Sequence, residues 1–130
     1  MKFIQPPGWH RPKGYSNGIT ARGQLLFIAG QVGWDEQEVF QSDRFSDQVG
    51  QALHNIVAIL DEAGASTTDI VRMTWYVTAK EEYLAQLSEV GKHYRNIIGD
   101  HYPVMTLVEV AGLVEQGGKV EIEATAILPD

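Results

Sequence analysis

The clearest pattern along the chain is a helical stripe. From Phe45 to Ala63, apolar residues recur at steps of three and four: Phe45, Val49, Ala52, Leu53, Ile56, Ile59, Leu60 and Ala63. That spacing puts them on one face of an α-helix. Ser42 or Asp43 stands where an N-cap is needed, and Gly64 where a left-handed stop is expected. A second stripe runs through Tyr83, Leu84, Leu87, Val90, Tyr94, Ile97 and Ile98. It predicts one more helix, opened by a capping box at Thr78–Glu81 and closed by Gly99.

Elsewhere the period falls to two. Val71, Met73, Trp75 and Val77 alternate with Arg72, Thr74 and Tyr76, which predicts a strand with one face on the core. Val120, Ile122, Ala124 and Ala126 alternate in the same way with Glu121, Glu123 and Thr125. Residues 25–31 are a nearly continuous apolar run, read as a buried strand ending at Gly30. Residues 15–22 are its expected hairpin partner, turning at Arg22-Gly23. A strand at about 105–110 completes the set, and residues 2–5 could add a short one.

The resulting order is β-β-α-β-α-β-β over a single domain, residues 1–130. Two helices cannot cover both faces of so wide a sheet. They are expected on one face of a mixed sheet, an α+β two-layer sandwich. The other face would carry apolar residues from Leu25–Ile28, Leu107 and Ile127, a patch of the kind that marks an interface. A homo-oligomer follows from this.

Composition narrows the chemistry. The 130 residues include no cysteine, which removes disulfides, zinc-thiolate sites and a thiol nucleophile. The formal net charge is −7, so the broad positive footprint of most nucleic-acid binders is missing. No apolar run has the length of a signal peptide or a membrane span, and the cytoplasm is the default location.

There is no Gly-x-Ser-x-Gly elbow and no His-Glu-x-x-His motif. His54 and His93 sit beside helical stripes and read as structural or solvated; His10 and His101 fall in predicted loops, without metal-ligand spacing. Glu121 and Glu123 share one face of the last strand. Glu121 is either a solvated or intersubunit charge, or a general base that positions water. The segment Trp9-His10-Arg11-Pro12-Lys13 gathers an aromatic, an imidazole and two cations, as suits a small anion; the alternative is an N-terminal loop without a ligand.

Several segments together resemble the Rid/YjgF family of reactive-intermediate deaminases. They are Gly14-Tyr15-Ser16-Asn17-Gly18, Leu26 to Gln31, Asn55 to Gly64, Asp69 to Arg72, and Tyr102-Pro103 through Val108-Glu109-Val110-Ala111 to Val120-Glu121-Ile122-Glu123-Ala124. The resemblance spans essentially the whole chain and implies a chorismate-mutase-like sandwich. It also implies a homotrimer with small-molecule clefts between subunits, and hydrolysis of enamines or imines to a carbonyl compound and ammonia. No cofactor or metal is implied. Tyr15, the Gly30 backbone amide and Glu121 stand at family ligand or water positions.

Three positions depart from the pattern. Met105 stands where deaminating members carry a carboxylate-binding arginine, Leu107 where a cysteine is frequent, and Ala29 where a serine precedes the Gly-Gln pair. Losing a charge-assisted pair of that kind costs roughly 2–5 kcal/mol of binding. Altered substrate choice is therefore expected, with Arg11 or Lys13 as substitute cations and Trp34 as an aromatic wall. A non-catalytic trimer binding a small metabolite is the alternative. Endoribonuclease or translation inhibition, an activity assigned to some family members, fits the acidic charge poorly.

Overall fold

The computed structural model describes residues 1–129. Three strands come first: β1 (Lys2–Ile4), β2 (Gly18–Thr20) and β3 (Gln24–Val32). Helix α1 (Phe45–Glu62) leads through a 3₁₀ turn at Thr67–Asp69 into β4 (Ile70–Val77). Helices α2 (Lys80–Ala85) and α3 (Leu87–Ile97) precede β5 (Val104–Glu109) and β6 (Val120–Leu128).

The main sheet has the order β3-β6-β4-β5. β6 is antiparallel to both β3 and β4, while β4 and β5 are parallel. The chain thus steps β3 to β4 to β5 in one direction across the sheet, each step crossing through helix. Right-handed crossovers in one direction put all their helices on one face. The fold is the α+β two-layer sandwich that the pattern predicts.

Between the layers lies the core. Val49, Leu53, Ile56 and Leu60 of α1 meet Met73, Trp75 and Val77 of β4 and Val120, Ile122 and Ala126 of β6, all buried. Gly33 lets α1 approach the sheet closely: a Cβ there would stand 2.6 Å from the Gln48 Cα.

Several local expectations are corrected. Residues 15–22 do not form a hairpin with β3. β2 pairs with β1 in a separate two-stranded sheet, and β3 pairs with β6. The hairpin prior weighs sequence proximity, whereas β6 offers β3 a full-length partner. Ile70, not Val71, faces the core, because the ladder slips between Ile70 and Arg72. Ile28 is buried, and Leu107 packs against the core, so both leave the open face. That face keeps Leu25 and Phe27, the latter 73 % exposed, among polar neighbours.

The helix caps also differ. The second stripe is broken at Gln86, giving α2 and α3. Gln86 Oε1 accepts from the Ser46 amide (2.9 Å) and so caps α1 from outside. Neither Ser42 nor Asp43 is the N-cap of α1; Arg44 is, without a side-chain cap. The Thr78–Glu81 box does not form. Glu109 from β5 takes the Lys80 amide instead (2.9 Å).

Candidate active site

Alternation along β6 puts Glu121 on the open face, in register with Val32 of β3 and Tyr76 of β4. The β3–β6 ladder is irregular between Ile28 and Gln31, which carries Gly30 against the glutamate. A Cβ on Gly30 would stand 2.0 Å from Glu121 Oε2. Only glycine leaves the carboxylate room there. Next to it, Tyr76 donates its hydroxyl to Glu123 (2.8 Å). That bond raises the Tyr76 pKa, with desolvation and the carboxylate charge adding to it. Glu123 is thereby occupied, whereas the half-buried Glu121 carboxylate has no hydrogen-bond partner among the described residues. A carboxylate in this state is suited to orienting a water molecule.

Met105 and Leu107 lie on the opposite face. On β5 they oppose Met73 and Trp75 and look toward the helices. They line a cavity of about 300 Å³ between the β5 edge and α2–α3, with Tyr83, Tyr94 and Tyr102 among the other walls. Tyr94 stacks on Tyr102 at 5.6 Å and donates its hydroxyl to the His101 carbonyl (2.6 Å). Burial raises the Tyr94 pKa first, and neighbouring Tyr102 adds to the effect, so this phenol stays neutral and structural.

The N-terminal loop is tied to the start of β5. Ser16 donates its amide to the Pro103 carbonyl (3.1 Å) and its hydroxyl to the Tyr102 carbonyl (2.5 Å). Tyr15 and Arg11 line a broad groove that shares Gly14 and Tyr102 with the Met105 cavity. Lys13 lines neither space. Trp34 lines neither: its ring leans on Phe40 at 5.6 Å, and its carbonyl accepts from Asn55 (2.7 Å). His101 is buried, with Nε2 2.7 Å from the Ile70 carbonyl, a structural role.

The chain therefore carries two candidate features on opposite faces of its sheet: Glu121 with Gly30, and the cavity behind Met105 with the Tyr15 groove beside it. Sequence reasoning missed the cation at that cavity, Arg95 of α3. Its one signal was Gly91, four residues earlier on the same helix face.

Such a sandwich, with helices on one face of a four-stranded mixed sheet and the other face open, defines a small α+β two-layer protein. The chain belongs to the Rid/YjgF family: it matches the family model described as Endoribonuclease L-PSP over residues 9–128. RutC family protein PH0854 of Pyrococcus horikoshii is 39% identical over 114 residues, covering 86% of this chain and 85% of that protein. TdcF of Escherichia coli, named provisionally as a reactive intermediate deaminase, is 33% identical over 113 residues, 87% of this chain and 85% of its own. The solved structure of TdcF with bound serine has a TM-score of 0.69 at 31% identity, covering 98% of this chain and 99% of that one. The Rid-family protein YyfB of Yersinia pestis, of unknown function, gives a TM-score of 0.84 at 28% identity over 98% of both chains. No helix among the described residues is long and apolar enough to cross a membrane.

Proposed function

We propose that this chain is an imine or enamine hydrolase, releasing a carbonyl compound and ammonia, with a substrate range shifted by Met105. The observation that carries the reading is the Glu121 carboxylate, unpaired and seated against Gly30. In this reading Glu121 holds the attacking water and takes up its proton, while the Gly30 amide and Tyr15 hold the substrate. An enamine first takes a proton from solvent at carbon and becomes the iminium ion, which loses its N–H proton to give the imine; water then adds to the C=N carbon, Glu121 passes the proton it took to nitrogen, and the C–N bond breaks as the new hydroxyl gives up its proton, so that a carbonyl and ammonia leave. The deaminase name of TdcF and the serine bound to it support a small amino-acid-derived ligand.

The two candidate features face away from each other, and a second copy joins them. Packing the open face of one protomer on the β5 edge of the next brings Glu121 to the Met105 cavity. A homotrimer closes such a head-to-tail arrangement. Exposed Leu25 and Phe27 on that open face supply apolar area for the contact.

The test is ammonia release from imines generated in place by an amino-acid oxidase, over a panel of side chains. Acceleration over buffer for at least one imine is expected. A flat panel, alongside saturable binding of keto acids, would instead identify a metabolite-binding protein.

A further inference from the structure

The cavity behind Met105 carries a cation without an ion-pair partner among the described residues. Arg95 stands at its edge and makes no ion pair among the described residues. Its Nη1 lies close over Gly91, where a Cβ would be only 3.0 Å away. A bare position 91 thus lets the guanidinium fold back along α3 beside the cavity. Trp75 forms part of the wall; it is 3 % exposed, and its indole N–H has no hydrogen-bond partner.

The remaining walls are aromatic or aliphatic: Tyr83, Leu87, Val90, Tyr94, Met105 and Leu107. At about 300 Å³ the space is at the lower end of the range for small-molecule pockets. A three-carbon acid would leave most of that apolar wall uncovered. Met105, flexible and polarizable, moulds to an aromatic ring more readily than a charged residue does. A guanidinium without a partner, at the mouth of an apolar space, suits a carboxylate bound through two parallel N–H donors.

We propose that the cavity selects α-imino or α-keto acids with a large apolar or aromatic side chain, whose carboxylate pairs with Arg95. The chemistry of the imino acids rests on the hydrolase reading above; the recognition of the acid does not.

Isothermal titration with phenylpyruvate and with pyruvate tests the recognition. Phenylpyruvate is expected to bind at least about tenfold more tightly. Arg95→Ala should weaken it by about tenfold or more, as loss of a charge-assisted pair does. Equal affinity for the two acids, binding of neither, or wild-type binding by Arg95→Ala would overturn the proposal. So would a larger loss in Arg11→Ala or Lys13→Ala than in Arg95→Ala. Imine turnover separates the two claims. Hydrolysis of only the alanine-derived imine sinks the selectivity and leaves the hydrolase. Selective phenylpyruvate binding with no turnover does the reverse.

Discussion

Adding one methyl group at Gly30 probes where the Glu121 carboxylate works. On the observed backbone the new Cβ would stand 2.0 Å from Oε2, 2.8 Å from Cδ and 2.9 Å from Cγ. Carbon-range contacts settle near 3.5–4.0 Å, so the carboxylate must retreat by about 1 Å or more. It is the free end of a flexible side chain, and Gly30 has no positive φ to strain an alanine. The fold should therefore survive while the carboxylate moves. A misplacement of about 1 Å typically costs on the order of 100-fold in rate, equivalent to about 2.7 kcal/mol of transition-state stabilisation. Imine hydrolysis by Gly30→Ala is expected to show kcat/KM down by that factor, with a nearly unchanged unfolding midpoint. Glu121→Ala should lose at least as much, and the double variant no more than Glu121→Ala alone, since both act on one carboxylate. Wild-type kcat/KM in Gly30→Ala, or additive losses in the double variant, would refute the reasoning. Gly33→Ala is the contrast. Its Cβ would meet the Gln48 Cα at 2.6 Å and carbonyl oxygen at 2.7 Å, helix backbone that cannot swing away. Stability should fall by about 1–3 kcal/mol or more.

Three further outcomes are expected. Gln48 is buried, donating to the Ser42 and Gly117 carbonyls (3.0 Å each) and accepting from the Lys119 amide (2.8 Å). Gln48→Leu orphans all three and should cost about 3 kcal/mol or more in a denaturant melt; a loss below about 1 kcal/mol would contradict the network. Gln86→Ala removes the outside cap on the Ser46 amide and should cost about 1 kcal/mol by the same measurement. The Glu89 carboxyl is held below its ordinary pKa by hydrogen bonds from Arg44 and then Ser46. A carboxyl lowered on folding stabilises above its ordinary value and loses that contribution as pH falls through the folded value. The Tm gap between wild type and Glu89→Gln should thus be widest at neutral pH and close below pH 4.5. A gap that persists in acid would point to packing instead.

Helix α1 was legible because its stripe is long and its partner is the whole sheet. The β6 alternation was legible because both neighbours press one face of it into the core. What failed was local chemistry overruled from a distance. The Thr78 box yields to Glu109, and the caps expected from Ser42 or Asp43 yield to Gln86, residues that only the tertiary fold brings near. The slip at Ile70 exchanges it for Val71, because one extra residue in a ladder reverses which side chains face inward. Arg95 reads from sequence as an ordinary solvated helix residue; its place at the cavity depends on how α3 crosses β5. The closeness of Gly30 and Glu121 follows from β3–β6 pairing, which the hairpin expectation concealed. No sequence pattern announced that Met105 and Glu121 lie on opposite faces of the sheet.

That opposition makes the central claim, a site completed by two copies of the chain, open to one direct measurement. Glu121→Ala keeps the cavity and removes the carboxylate proposed to hold the water. Met105→Glu keeps Glu121 and closes the cavity with a carboxylate beside Arg95. The two are refolded together in equal amounts and assayed for imine hydrolysis. With random assembly around a closed ring, about a quarter of the clefts unite an intact cavity with an intact Glu121. The mixture should recover about that fraction of wild-type activity; activity no higher than the two variants give separately would contradict the claim.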